Sequence, residues 1–252
     1  MLFRSHSCVA TWFRAVRNSD LPDGWSWQRG LNAAGLARAD AVVAPSRSHA
    51  DLLRRVYGVA AAVVPNAVAP AAHRTADWPM VAASGRWWDD GKNGAVLDAA
   101  ARRMDWPVTM LGPVEAPTGQ RFTALHATTA GNLPHDRAMA LMRDAGIFVS
   151  PSLYEPFGLA VAEAAGTAIP LVLADIPTFR ELWDGAATFF DPADPDALAH
   201  AVNALARDAG ERRRLGRAAL LRSRHYSPAA QSDAMLGLYA RLTEPQPRTA
   251  TR

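Results

Sequence analysis

Short apolar runs that stop at a turn residue and give way to helix-length stretches recur throughout this 252-residue chain. Ala41-Val42-Val43-Ala44 precedes a helical pattern over 48–56, and the runs at 61–64, 108–111 and 147–149 end at Pro65-Asn66, Gly112-Pro113 and Ser150-Pro151. Run 79–84 leads toward a helical pattern over 94–103, and run 169–173 toward one over 176–182. From 197 to about 242 the apolar residues recur at the three- and four-residue steps that helices require. Strands alternating with helices build parallel sheets covered by helices on both faces, so the expected fold class is α/β.

The alternation changes character along the chain. Residues 1–65 offer at most three strand candidates, the first at 3–9, and read as part of a domain. A Pro- and Ala-rich linker is expected at 66–78, a complete strand-and-helix domain at 79–226, a helix at 227–243 and a frayed tail at 244–252. An apolar fraction of 49% with 20% charged residues can bury a core, which excludes a disordered chain. A net charge of +3 with scattered Arg and no basic-aromatic stripe argues against nucleic acid as a partner. Arg4 and His6 interrupt the segment where a signal peptide needs apolar residues, and no run reaches the length of a membrane span, so the expected location is cytoplasmic. The densest basic run, Arg212, Arg213, Arg214, Arg217, Arg222 and Arg224, reads as a solvated helix face. A second reading is peripheral docking on an anionic inner membrane face, with Leu215, Leu220 and Leu221 as the apolar side.

Ligands of open parallel sheets sit beyond the carboxyl ends of the strands, which directs attention to two loops. In Gly85-Arg86-Trp87-Trp88-Asp89-Asp90-Gly91-Lys92-Asn93, five residues separate the glycines and Asn93 stands where a phosphate-binding loop has its metal-binding hydroxyl; this is not a P-loop. What remains is a planar Arg86 fork and a compact Lys92 charge near a helix start, suited to a diphosphate. Lys92 is the single lysine among 27 Lys and Arg residues. In the loop from Ser150 to Glu163, Pro156 and Gly158 mark a strand end turning into a helix, whose first N–H groups at Phe157, Gly158 and Leu159 can face an anion. Glu155 and Glu163 flank that turn, and two carboxylates beside a phosphate site make sense where sugar hydroxyls need acceptors.

Glu155-Pro156-Phe157-Gly158-Leu159 with Glu163 eight positions after Glu155 resembles the E-x7-E motif of retaining glycosyltransferases of the GT-B fold, family 4. Gly85-Arg86, Lys92-Asn93, Leu111-Gly112, Asp175-Ile176-Pro177 and Arg180-Glu181 fall in that family's order. The resemblance implies two Rossmann-like domains around one cleft. It implies that Arg86 and Lys92 clamp the diphosphate of a nucleotide sugar, with the N–H groups around Phe157, Gly158 and Leu159 helping to cradle it. Glu163 would hold the ribose hydroxyls and Glu155 the transferred sugar, while Gly112 and the Gly131-Asn132-Leu133 turn border the base. His6 would face the donor sugar from the other domain as a catalytic residue beside Glu155. The implied reaction moves a sugar to a glycan or lipid-linked acceptor with retention of configuration, and needs neither metal nor another cofactor. Asp194-Pro195-Asp196 matches a D-x-D metal site by letter, but its place before a helix reads as a cap.

The chain also departs from the family. Residues 1–65 lack the first strand of the acceptor-side domain and its glycine loop, and Ala67 replaces the usual Gly after Pro65-Asn66. The expectation is either a start placed too late or a second chain that completes the domain. An alternative function stays open, a nucleotide-sugar-binding remnant or subunit of a split glycosyltransferase that transfers nothing. A pyridoxal-phosphate protein would have only Lys92 to carry its cofactor.

Overall fold

The computed structural model of the chain describes residues 1–69 and 77–244. Residues 70–76 of the expected linker and 245–252 of the expected tail lie outside the described residues. The fold is α/β and holds two parallel sheets. The first has three strands, β1 (Leu2–Arg4), β2 (Ala41–Ala44) and β3 (Ala62–Val63), in that order. The second has six: β4 (Trp78–Ser84), β5 (Val108–Leu111), β6 (Thr128–Gly131), β7 (Ala145–Ser150), β8 (Leu171–Ala174) and β9 (Thr188–Phe190). Their spatial order, β6-β5-β4-β7-β8-β9, is that of a dinucleotide-binding sheet, with the direction of winding reversed between β4 and β7.

The central strands are apolar without alternation because helices cover both faces. Val81, Ala82 and Ala83 of β4 and Ile147, Phe148 and Val149 of β7 are fully buried. Helices α4 (Gly94–Ala101), α5 (His135–Asp144), α6 (Leu159–Gly166), α7 (Pro177–Trp183), α8 (Pro195–Arg207) and α9 (Ala209–Ser223) surround this sheet. The edge strands β6 and β9 were not anticipated. Thr128–Gly131 contains no apolar run and Thr188–Phe190 is only three residues long, so neither carries the pattern of a buried strand.

In the first sheet, the strand expected at 3–9 stops at Arg4. The Cys8 side chain accepts from Thr11 N and starts a short helix, α1 (Val9–Trp12), which passes into a π-helical turn at Phe13–Arg17. Helices α2 (Ser26–Ala37) and α3 (Arg47–Tyr57) follow. The last described helix, α10 (Pro228–Thr243), returns to this sheet and packs Leu238 against Val43 and Val64. Gln231 Nε2 donates to the Pro65 carbonyl at 2.7 Å, and Arg4 donates to the Val64 carbonyl and Asn66 Oδ1 at 3.0 and 2.9 Å.

The basic run of α9 is not one solvated face. Arg212 is buried, donates to the carbonyls of Leu205 and Ala206 at the end of α8, and lies over Trp106 at 4.8 Å. Arg222 donates to the carbonyls of Leu182 and Asp184 at the end of α7, while Arg214 pairs with Glu211. Leu215 is buried as well, so it does not belong to an exposed apolar side. Among the described residues no helix is long and apolar enough to cross a membrane.

Asp98 on α4 fastens the loop that precedes β6. Its buried carboxylate accepts from the N–H groups of Leu125, His126 and Ala127, each at 2.9 Å. Burial pushes its pKa up, but the three donors together outweigh burial and hold it below the ordinary carboxylate value. The stabilisation is therefore fully present above the unfolded-state pKa and is lost as pH falls through the depressed folded-state one. In urea denaturation, Asp98→Ala should cost about 3 kcal/mol at neutral pH. The gap to wild type should narrow below about pH 4, where the wild-type carboxylate begins to lose its charge.

Candidate functional site

Because the winding reverses at β4 and β7, the loops leaving these strands diverge and open a crevice at the carboxyl edge of the sheet. A cavity of about 620 Å³ occupies it. On one side its wall takes in Arg86 and Lys92 after β4, Gly112 after β5 and Leu133 after β6. The loop after β7 contributes Glu155, Phe157, Gly158 and Leu159, and His6 after β1 closes the cavity from the first sheet. Glu163 is not on this wall; it lies one turn into α6, half-buried.

Two glycines make room for the cleft floor. Gly112 has φ +112°, and a Cβ there would overlap the Gly85 carbonyl oxygen. Gly85 N donates to the Leu111 carbonyl at 3.0 Å and Gly112 N to that of Gly131 at 2.9 Å, which stacks the three strand ends. Gly158, at φ +84°, is the N-cap of α6 and aims the start of that helix at the cavity. Phe157 is buried edge-on to Tyr226 at 5.3 Å, so only its backbone serves the cleft.

Lys92 ends a turn, Asp90–Lys92, capped by Asp89. Asn93, with φ 55°, follows, and its Nδ2 donates to the Pro151 and Pro192 carbonyls at 3.0 and 2.9 Å. The amide that departs from a phosphate-loop pattern is thus a clamp between the loops after β4 and β7. Lys92 Nζ is ion-paired with Glu155, and their side chains are only 17% and 15% exposed. Arg86 is exposed, 3.4 Å from Asp89 and 5.7 Å over the Trp88 ring.

His6 is exposed, and desolvation together with the neighbouring Arg4 charge lowers its pKa. Beneath it, buried His49 shares a 3.0 Å hydrogen bond with Ser5 and is held neutral, its pKa lowered to about 4 by burial and by His6. The Glu163 carboxyl is pushed up by burial, against a smaller lowering effect from His135, which lines the cavity. Asp194 accepts from the N–H groups of Asp196 and Ala197, so the D-x-D pattern is a helix cap. Among the described residues no three His, Cys, Asp or Glu side chains form a metal-binding group.

Several positions that shape the cleft escaped the sequence pattern. Ser46 Oγ donates to the Pro156 carbonyl at 2.6 Å, and the Tyr154 hydroxyl meets Thr11 Oγ1 at 2.8 Å. Burial pushes the Tyr154 phenol up to about 12. Trp12 Nε1 donates to Asp89 at 2.9 Å, and the Glu181 carboxylate accepts from Arg47 N and Ser48 N, both at 2.8 Å, at the start of α3. All of these join residues far apart in sequence; the Asp89 cap and the Ser46 N-cap were the only local signals.

This arrangement recurs in known proteins. Sucrose-phosphate synthase from Thermosynechococcus elongatus superposes with a TM-score of 0.79 at 22% identity, over 96% of this chain and 67% of its own. Anabaena HepE, solved in complex with UDP and glucose, superposes with a TM-score of 0.74 at 15% identity, over 97% of this chain and 71% of its own. At such identities the likeness is one of fold, that of the GT-B glycosyltransferases. Two family descriptions match in sequence, Glycosyltransferase Family 4 over residues 2–72 and Glycosyl transferases group 1 over residues 113–222. Both descriptions are of glycosyltransferases, one matching the part of the chain that holds the first sheet and the other most of the part that holds the second. Glycogen synthase from Mycobacterium tuberculosis is 34% identical over 135 residues, 51% of this chain and 33% of that protein, so the match spans a third of this relative's length.

The close approach at Gly112 is open to a controlled test. Gly119 also has positive φ, +87°, but nothing lies within 4 Å of a Cβ built there. Gly119→Ala should therefore show conformational strain alone, about 1 kcal/mol in chemical denaturation. Gly112→Ala should cost clearly more, because the Gly85 carbonyl has to move.

Proposed function

We propose that the chain binds a nucleoside diphosphate sugar in this cavity and transfers the sugar, with retention of configuration, to a hydroxyl of a glycan or lipid-linked glycan. The observation that carries the reading is the convergence of Arg86, Lys92, Glu155 and the start of α6 on one wall of one cavity. HepE, a neighbour of the same fold, was solved with UDP and glucose.

Breaking the bond between sugar C1 and the phosphate oxygen leaves negative charge on the diphosphate. Arg86, Lys92 and the N–H groups at Phe157, Gly158 and Leu159 stand where they can stabilise it. Lys92 is ion-paired with Glu155. A donor phosphate competes for that ammonium and releases the Glu155 carboxylate to the sugar hydroxyls. The acceptor oxygen bonds to C1 on the face the diphosphate leaves, and its proton passes to a phosphate oxygen of the leaving group. His6, kept neutral at physiological pH, offers polar contact to the sugar without adding charge, and Glu163 accepts from the ribose hydroxyls. These groups supply the charge stabilisation, so the reading calls for no metal or other cofactor. The reading takes the reaction to be cytoplasmic, and the remaining exposed Arg213, Arg217 and Arg224 would allow peripheral contact with anionic lipid. Strand β1 is an edge strand of its sheet, the position where a further chain would extend it.

Calorimetry with UDP, GDP and ADP, followed by assays with the matching nucleotide sugar, tests this. Lys92→Arg should lower turnover about a hundredfold, because a guanidinium does not fit the half-buried ammonium site; unchanged turnover would remove Lys92 from the mechanism. Glu155→Gln should keep or tighten nucleoside diphosphate binding while transfer falls, whereas binding without product in the wild type would favour a non-catalytic binding subunit. The raised pKa of Glu163 sets a pH dependence. Its carboxylate is the stronger acceptor for ribose when ionised, so donor affinity should weaken as pH drops through that raised value, and Glu163→Gln should flatten the profile.

A further inference from the structure

Glu155 and His6 line the donor cavity from different domains, so the distance between them depends on what joins the two walls. The residues beside them supply that join. Tyr154 precedes Glu155 in the loop after β7, and its side chain reaches the first domain, where the hydroxyl lies 2.8 Å from Thr11 Oγ1 and 3.3 Å from Ser7 Oγ. Ser7 follows His6 in the turn after β1. On the other side of Glu155, the Pro156 carbonyl accepts from Ser46 Oγ at 2.6 Å, and on the other side of His6, Ser5 is bonded to His49 at 3.0 Å. Ser46 thus anchors the loop to the start of α3, whereas Tyr154 anchors it to the turn that carries His6. Ser7 also borders a second chamber of about 520 Å³ whose lining includes Trp12, Phe13, Trp25 and Trp88, so this junction stands at the wall between the two cavities.

The hydrogen bonds at the junction have a fixed direction. Thr11 Oγ1 gives its proton to the Cys8 carbonyl at 2.9 Å, which leaves it an acceptor toward Tyr154. The phenol therefore donates to Thr11, and its oxygen accepts from Ser7. Burial holds the phenol pKa up at about 12, so the donor is present at any physiological pH. Thr11 is fully buried and Tyr154 nearly so, and little water reaches the bond between them. On the side of the second domain, Leu153 N donates to the Gly91 carbonyl at 2.9 Å, which fixes the same loop to the turn that carries Lys92.

We propose that the Tyr154 hydroxyl is a positioning group for sugar transfer: donating to Thr11 and accepting from Ser7, it sets the spacing of Glu155 and His6 across the bound sugar and acts through them. The proposal rests on the donor-site reading, because their spacing matters only if a sugar is held between them.

The test uses the whole chain with UDP-glucose, GDP-mannose and ADP-glucose and with the matching nucleoside diphosphates. Binding is read by calorimetry, and turnover as nucleoside diphosphate released with water as acceptor. Tyr154→Phe keeps the ring and removes the hydroxyl, while Thr11 Oγ1 keeps the Cys8 N–H as a donor, so the fold should persist. Affinity and stoichiometry for the nucleoside diphosphate should stay within about twofold of wild type, since the lost hydroxyl is not among the groups assigned to the diphosphate. The ratio of nucleotide-sugar to diphosphate affinity should fall, and turnover with it, each by about tenfold, the scale of one hydrogen bond. Thr11→Val should show the same split, and the double variant should lose no more than the larger single loss, because both changes remove one link. A merely structural role would lower stoichiometry or thermal stability and leave the affinity ratio and the turnover per bound site unchanged. That result, or additive losses in the double variant, would overturn the proposal. If the wild type binds no nucleotide, the donor reading fails and takes the proposal with it; if it binds a nucleotide sugar without turnover, the affinity ratio still decides the role of Tyr154.

Discussion

The pairing of β4 with β7 is the constraint on which the cleft depends. The middle of β4 and the whole of β7 are buried, and the chain leaves the two strands in opposite directions along the sheet, so their carboxyl-end loops cannot pack over one another. The opening is a consequence of topology, and the side chains only furnish it. Gly112 and Gly85 then bring the ends of β5 and β4 so close that no side chain fits between them, which keeps the floor of the opening flat enough for a ligand.

The two domains meet across this opening mainly through polar contacts. Glu181 occupies the start of α3, where exposed N–H groups and the helix dipole favour an anion, and Ser46, the N-cap of the same helix, donates to the Pro156 carbonyl. Trp12 to Asp89 and Tyr154 to Thr11 complete the seam. These contacts also fix the walls of both chambers, because Asp89 and Tyr154 are site residues and interdomain partners together. The apolar attachment lies elsewhere, where Leu238 of α10 packs on Val43 and Val64.

Much of the six-stranded half was legible in the chain because its signals are local. A buried parallel strand is a continuous apolar run, and a strand-end turn is marked by Gly or Pro; 108–111 with Gly112 and the run ending at Pro151 show both. The edge strands β6 and β9 lacked that signal since only one neighbour and a half-covered face act on them. Val9 looked like the end of a strand, but the Cys8 cap outweighed its β-branched preference. The Arg run of α9 read as uniformly solvated, yet Arg212 and Arg222 close the ends of other helices, a use that no helical period reveals.

The sequence by itself determined the fold class, the two loops that converge on the larger cavity, and ten candidate site residues of which nine line it. These follow from periodicity, turn chemistry and motif order, which act over a few residues at a time. Only the tertiary structure decided that Lys92 is neutralised by Glu155, that Glu163 stands back from the wall, and that Trp12, Phe13, Trp25 and Trp88 enclose one chamber. Each of those facts joins residues from different elements, and the physical reason is the same: charge pairing, burial and aromatic packing depend on distance in space, which the chain expresses only once the sheets have folded.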